Sequence, residues 1–178
     1  LKNDNKMKTF SNFVLECSRL DESSLSRIKS KHDKGGVAVL SASRGDKSKK
    51  ENRERAKSLD RDVRSKFGKG ATKVTGRYSE KDEKTGKERE VKERSHVVTS
   101  GKKGKRKFKK EVKKLGKKYG QDSVIVQTKG GGDATLKRSR KGGLPKRNIK
   151  LGKMKPGGKS KEGETQVKGK TYTYEKDD

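Results

Sequence analysis

Apolar residues recur at steps of three and four in two stretches of the chain, and this spacing predicts two surface helices. The apolar stripes consist of Ala56, Leu59, Val63 and Phe67 in the first stretch, and of Phe108, Val112, Leu115 and Tyr119 in the second. Ser48 and Glu51 form the pattern of a capping box at the start of the first helix, and Gly68 is placed to end it.

Short apolar or alternating runs predict strands between these helices. Such runs occupy residues 37–42, 71–78, 91–99 and 123–126, and residues 165–174 have the pattern of a small hairpin. The order strand, helix, strand, strand, helix, strand predicts an α+β fold of the split βαβ type. Two helices would then cover one face of a mostly antiparallel sheet.

Changes in composition predict five segments. Residues 1–6 are an upstream extension, 7–34 a helical leader, 35–128 the α+β domain, 129–163 a flexible basic segment and 164–178 a C-terminal hairpin and tail. The boundary near 129 rests on three consecutive glycines, after which Lys, Arg and Gly dominate and apolar residues are sparse.

The net charge of the chain is the property that bears most on its expected function. The 178 residues include 53 Lys and Arg against 24 Asp and Glu, a net charge of +29, and only 23% of residues are hydrophobic. This excess predicts a polyanionic partner, nucleic acid before membranes. No apolar run is long enough for a transmembrane helix. Because Lys outnumbers Arg in the most basic stretch, we expect salt-dependent binding without sequence preference; a solvated Lys surface is the alternative. The expected nucleic-acid contacts are Lys102, Lys103, Lys105, Arg106, Lys109, Lys110, Lys113, Lys117, Lys137, Arg138, Arg140, Lys141, Lys146 and Arg147.

A second group of polar residues lies at predicted strand ends and helix starts, where sites often form. It consists of Arg44, Asn52, Arg55, Glu93, Ser95 and Gln121, with Ser41 and Ser43 nearby. The two arginines could bind a phosphate or nucleotide, with Glu93 as a partner. The alternative is a structural hydrogen-bond network. No catalytic triad is convincing, and one cysteine with two distant histidines predicts no metal site; no cofactor is predicted.

The N-terminal sequence resembles the capsid-targeting leader of internal head proteins of T-even-like phages. The matching residues are Met7-Lys8-Thr9-Phe10-Ser11-Asn12-Phe13-Val14-Leu15-Glu16-Cys17. In that family a head maturation protease cuts after Glu in a Leu/Ile-x-Glu motif. The resemblance implies cleavage after Glu22, which follows Leu20-Asp21, or after Glu16, where Val14 replaces Leu or Ile.

Residues 37–127 resemble a second family, the domain of unknown function numbered 3293. The matching positions are Ser43, Glu51-Asn52, Arg55, Leu59, Gly76, Glu93, Ser95, Val97-Val98, Tyr119-Gly120-Gln121 and Ser123-Val124; the tryptophan usual before the Glu-x-Ser is missing. This resemblance implies a fold and a polar constellation but no activity.

These observations together predict a non-enzymatic basic phage protein. It would be packaged with DNA in the virion head, contact the head core and the maturation protease, reach the host cytoplasm and bind no membrane. The alternative is a small host-takeover enzyme or toxin-like factor, with a phosphate or nucleotide site at Arg44, Arg55 and Glu93. A regulatory adaptor whose tail folds on an acidic host protein is the third possibility.

Overall fold

The computed structural model describes residues 25–81, 86–143, 145–157, 164–167 and 169–177, and its dominant feature is a closed antiparallel barrel of eight strands. The helices are α1 (residues 25–34), α2 (Lys49–Phe67) and α3 (Lys105–Lys118). The strands are β1 (Val37–Ser41), β2 (Thr72–Lys81), β3 (Glu88–Thr99), β4 (Ser123–Gln127), β5 (Ala134–Arg138), β6 (Ile149–Pro156), β7 (Glu164–Val167) and β8 (Lys170–Glu175). They follow one another around the barrel as β1-β3-β2-β7-β8-β6-β5-β4, and β4 pairs with β1 to close it.

Strand β1 is buried on both faces, which explains why its sequence is continuously apolar instead of alternating. Its outward residues, Ala38 and Leu40, join a core formed with the apolar stripes of α2 and α3 and with outward residues of β3 and β4. Its inward residues, Val37 and Val39, join a second core inside the barrel. The two helices therefore cover β1, β3 and β4 from outside.

The two covering helices begin differently. The Ser48 hydroxyl accepts a hydrogen bond from the Glu51 amide, and the Glu51 carboxylate accepts one from the Ser48 amide, so the predicted capping box of α2 is confirmed. Gly68 ends this helix with a left-handed φ of 71°. Helix α3 begins after Gly104 without a side-chain cap, and its first turn contains no acidic residue. Its positive N-terminus therefore lies beside like charges.

Helix α1 closes one end of the barrel. Ile28 is completely buried in the interior core, where it meets Val37, Val97 and Tyr172. The carbonyl oxygen of His32 accepts hydrogen bonds from the Gln127 side chain and from the Gly131 amide at 2.8 Å.

The predicted split βαβ fold is wrong. The two helices, the first four strands and the terminal hairpin lie where the spacing predicted them, but the sheet continues into a closed barrel. Residues 129–163, predicted as a flexible basic segment, contain β5 and β6. Outside the three strands covered by helices, the barrel wall faces solvent, so only inward positions need apolar side chains and the hydrophobic signal is weak. The division of the chain into five segments stays a prediction.

Candidate active site

The barrel interior contains a cavity of about 570 Å³, which is within the usual size range of small-molecule sites. Its wall is apolar where β1, β4, β5 and β6 meet and polar near the ends of β1, β3 and β4. The apolar residues include Val39, Ile125, Leu136, Ile149 and Leu151. The polar and charged ones include Ser41, Arg77, Glu93, Ser95, Gln121, Asp122, Ser123 and Thr165, and Tyr172 and Tyr174 also belong to the lining.

Glu93 brings a carboxylate to the polar part of this cavity. It lies on β3 directly opposite Gly76 of β2, and Ser95, two residues further on, is paired with Ser41. A side chain added at Gly76 would lie 3.6 Å from the Ser95 hydroxyl, so the glycine leaves open the space beside Ser95. The other acidic residue of the lining, Asp122, forms an ion pair with Arg140 and is thereby partly neutralised.

Two tyrosines of β8 line the cavity on the side that α1 closes. Tyr172 is completely buried, and its ring stands edge-on to the rings of His32 and Tyr174, each at a centroid distance of 5.9 Å. The Tyr174 hydroxyl lies 2.9 Å from Nε2 of His32, whose Nδ1 is 2.9 Å from the carbonyl oxygen of Ile28. Helix α1 thus fixes the aromatic part of the cavity.

Burial holds these groups in their neutral forms. It raises the pKa of Tyr172 to about 12, against smaller opposing effects of Thr165 and Tyr174, and raises the pKa of Tyr174 well above 10. It lowers the pKa of His32, although the Ile28 carbonyl and Asp33 act in the opposite direction. At neutral pH the aromatic part of the cavity is therefore uncharged.

The structure divides the predicted polar cluster into two groups. Glu93, Ser95 and Gln121 line the cavity, whereas Arg44, Asn52 and Arg55 do not. The second group binds backbone: the Asn52 amide exchanges hydrogen bonds of 2.9 Å with the backbone of Arg44, and Arg55 Nε donates to the Ala42 carbonyl at 2.7 Å. These contacts favour the alternative that the two arginines belong to a structural hydrogen-bond network. Gln121 connects the two groups, because its side-chain amide donates a hydrogen bond to the Ser43 carbonyl at 2.9 Å.

The expected nucleic-acid contacts lie away from the cavity. Those on α3 are exposed, whereas Lys103 is half-buried and lies over the Phe67 ring at 5.9 Å. Lys137 of β5 is also half-buried, and its pKa is lowered by burial and by the neighbouring charges of Lys109 and Lys113. The chain thus concentrates positive charge on α3 and the adjoining edge of β5.

Other expectations concern metals, cleavage and membranes. The described residues contain no group of three or more His, Cys, Asp or Glu side chains that could bind a metal ion. Cys17 and the expected cleavage positions Glu16 and Glu22 lie outside the described residues. Within the described part of the chain, no helix combines the length and apolarity needed to span a membrane.

Sequence reasoning missed the aromatic and aliphatic half of the cavity. Tyr172 and Tyr174 were interpreted only as part of a hairpin, although residues two apart on a strand share a face. Leu136, Ile149 and Leu151 lie in the segment interpreted as flexible. The alternation of Thr and Tyr over residues 171–174 was the available signal.

Comparison with known families identifies the class of protein to which a barrel with this cavity belongs. The model of the S-Adenosylmethionine lyase family matches residues 38–178, which include all eight strands except the first residue of β1. The chain therefore belongs to the S-adenosylmethionine lyase family. No curated protein matches its sequence.

This membership corrects the functional predictions. The resemblances to phage internal head proteins and to the domain of unknown function 3293 were wrong, as was the prediction of a non-enzymatic DNA-binding head protein. Family membership agrees better with the alternative of a small enzyme. The expected partners and the location in virion head and host cytoplasm stay predictions.

Proposed function

We propose that this protein is an S-adenosylmethionine lyase and that its reaction takes place in the barrel cavity. The observation that carries the proposal is the family match over residues 38–178, which spans every strand that contributes to the cavity. The cavity volume of about 570 Å³ and its division into apolar and polar parts suit a ligand with a heterocycle at one end and an amino acid at the other.

The chemistry of the substrate defines what such a site must do. S-Adenosylmethionine carries a sulfonium cation, and breaking one of its carbon–sulfur bonds returns the bonding electron pair to sulfur, which leaves as a neutral thioether. A lyase adds no water, so the carbon that loses sulfur must obtain electrons within the same molecule. It does so by losing a neighbouring proton to a base or by attack of the substrate's own carboxylate.

Glu93 is the cavity group best suited to the positively charged part of this substrate. Its side chain is half-buried and lines the polar part of the cavity. A carboxylate in a partly dehydrated cavity attracts a sulfonium or ammonium group more strongly than it would in water. The neutral ring of Tyr174 is compatible with a cation, because the face of an aromatic ring is negative.

The activity test incubates the purified protein with S-adenosylmethionine alone, without a methyl acceptor, and follows the substrate and its thioether nucleoside product by chromatography and mass spectrometry. A lyase consumes the substrate without an acceptor, unlike a methyltransferase. In water enriched in ¹⁸O, the primary product carries no heavy oxygen, whereas a hydrolase would incorporate it. Intact substrate after prolonged incubation would overturn the proposal.

The first prediction concerns Glu93→Gln, which keeps the size of the side chain and removes its charge. We expect kcat/KM to fall by about 10- to 100-fold, because one charge-assisted interaction with the substrate cation is lost. The matched control is Glu54→Gln on α2, where an exposed carboxylate pairs with Lys57 at 3.2 Å. Equal activity of the two variants in the thioether assay would exclude Glu93 from the reaction.

A further inference from the structure

Gly76 lies in the middle of strand β2, at a place where the backbone does not require glycine. Strand β2 pairs with β3 from Thr72 to Lys81 without a change of register, so Gly76 is not at a bulge. Its φ is not left-handed, and a side chain added there would meet the Ser95 hydroxyl and the Glu93 carbonyl at ordinary contact distances, 3.6 and 3.7 Å. A glycine inside a strand weakens it and often marks the place where a ligand approaches the backbone.

The pairing of β2 makes Gly76 part of the cavity wall. It lies opposite Glu93 of β3 on one side and opposite Thr165 of β7 on the other, so the three residues form a row across the inner face of the barrel. All three line the cavity, and directly paired residues have Cβ atoms about 4.5–5.5 Å apart. Val74, two residues earlier on the same face, is buried in the interior core. The missing side chain therefore leaves a recess between Glu93 and Thr165 that Val74 closes on the side of that core.

The side chains around this recess are hydrogen-bond acceptors. The Ser95 hydroxyl lies 3.6 Å from the position that a Gly76 side chain would take, and Glu93 and Thr165 flank that position on the neighbouring strands. One carboxylate and two hydroxyl groups can accept three hydrogen bonds, and a primary ammonium group has three donors. A carboxylate in the same place would meet the negative charge of Glu93. The recess is therefore suited to an ammonium group.

The other two charged residues of the cavity lining are held by partners outside it. Arg77 follows Gly76 directly and so belongs to the opposite face of β2; its guanidinium donates to the Gln166 side chain at 2.8 Å. Asp122 forms an ion pair with Arg140. The charge beside the recess is therefore that of Glu93.

We propose that the recess at Gly76 binds the ammonium group of the substrate's amino-acid end, which makes Gly76 a specificity-determining residue. The amino-acid end then lies in the row of Glu93, Gly76 and Thr165, and the nucleoside extends towards the aliphatic lining residues Ile125 and Leu136. The absence of a side chain selects the ligand together with the charge of Glu93. This inference rests on the proposed function, because it assigns one end of that substrate.

The second prediction is the effect of Gly76→Ala, which places one methyl group in the recess. Binding is measured by calorimetry with S-adenosylhomocysteine, which keeps the amino-acid end, and methylthioadenosine, which lacks it; both are thioethers without the sulfonium charge. We expect the variant to bind S-adenosylhomocysteine about 5- to 20-fold more weakly, as for loss of one hydrogen bond to a charged group, and methylthioadenosine equally well. The amine analogue of S-adenosylhomocysteine without the carboxylate should lose affinity in the same way, whereas the carboxylate analogue without the amine should not.

Stability distinguishes a filled recess from damage to the fold. Because alanine suits a strand better than glycine and meets only ordinary contacts here, the urea midpoint of Gly76→Ala should be unchanged or higher. The matched control is Gly45→Ala, at an exposed position where the added methyl group meets no other part of the described chain within 4 Å; it should change neither binding nor the urea midpoint. A Gly76→Ala protein that is less stable and binds both thioethers more weakly would assign Gly76 a structural role and overturn the inference.

The possible outcomes separate this inference from the proposed function. If the protein consumes S-adenosylmethionine and Gly76→Ala binds S-adenosylhomocysteine and its amine analogue as tightly as the unmodified protein does, the assignment of Gly76 is overturned and the lyase activity stands. If these affinities fall as expected and no thioether forms from S-adenosylmethionine, the assignment stands and the proposed activity fails. If the unmodified protein binds S-adenosylhomocysteine no more tightly than methylthioadenosine, or if Gly76→Ala weakens the carboxylate analogue instead, recognition of the ammonium group is overturned.

Discussion

His96 shows how a single residue of this fold couples its stability to pH. It is completely buried on the outward face of β3, and neither ring nitrogen has a hydrogen-bond partner in the described part of the chain. Burial lowers its pKa from 6.5 to about 4; Asp60 opposes this shift, whereas Lys73 and Arg94 reinforce it.

The third prediction follows from the sign of that shift. The unfolded chain takes up the proton near pH 6.5 and the folded chain only near pH 4, so stability is full above pH 6.5 and falls as the pH decreases towards 4. The fall attributable to His96 is about 3 kcal/mol over this window. Urea denaturation between pH 7.5 and 4.5 measures it.

The variant His96→Leu should reduce the fall in the free energy of unfolding at acid pH and should lose no stability at pH 5. The reason is that the substitution removes a buried group whose protonation destabilises the folded protein. A smaller slope should remain in the variant, since burial also lowers the pKa of His32. Identical slopes for the variant and the unmodified protein would mean that His96 is not the group that titrates.

At the scale of the secondary-structure elements, Gly116 marks a close contact between α3 and the barrel. A side chain added there would come within 2.6 Å of Val124 on β4 and 2.9 Å of Ser139. Both neighbours are themselves buried, so neither can move away freely. The glycine therefore sets the distance between the helix and the strand.

The fourth prediction is that Gly116→Ala destabilises the protein by about 1–3 kcal/mol through overpacking, although alanine favours helices. Lys117→Ala, at the next and exposed position, is the control and should change the free energy of unfolding by less than about 0.5 kcal/mol. Urea denaturation of both variants gives the comparison, and greater stability of Gly116→Ala would contradict the close packing.

At the scale of secondary-structure elements, some features of the fold could be predicted from the sequence and others could not. Helices α2 and α3 were predictable because each buries a continuous apolar stripe, and β1 because both of its faces are covered. Strand β6, with the sequence IKLGKMKP, has too few apolar residues to be distinguished from a flexible segment. Closure of the barrel depends on pairing β4 with β1 and β7 with β2, contacts between distant segments that no local pattern records.

The candidate site was partly predictable for a related reason. Glu93 and Ser95 lie two residues apart on β3 and therefore share one face of the strand, so the sequence pattern predicted that they lie together. Tyr172 lines the same cavity but belongs to a strand near the other end of the chain. The arginines were assigned a ligand because guanidinium groups suit phosphates, but backbone carbonyls satisfy them equally well.

For the whole molecule, the net charge of +29 opposes the binding of the proposed substrate. S-Adenosylmethionine carries one net positive charge near neutral pH, because its sulfonium and ammonium groups outnumber its carboxylate. The surface of the protein therefore repels it, and Glu93 counteracts this repulsion only at short range.

The fifth prediction is that kcat/KM rises, by about 2- to 5-fold, when salt is increased from about 20 to 200 mM, because screening weakens long-range repulsion. Steady-state rates at low substrate concentration measure the effect. The affinity for adenosine, which is neutral, should hardly change over the same range and serves as the control. A fall in kcat/KM with salt would mean that attraction within the cavity outweighs the surface charge.

Closure of the barrel also has a consequence for synthesis of the protein on the ribosome. The hairpin of β7 and β8 lies between β2 and β6 and follows the other six strands in the sequence, so it is made after them and supplies the pairing that closes the ring. Until then, β2 and β6 present open edges, which invite pairing between neighbouring nascent chains. The Lys and Arg residues that crowd these strands keep such chains apart, so the high charge serves the unfinished polypeptide as well as the finished one.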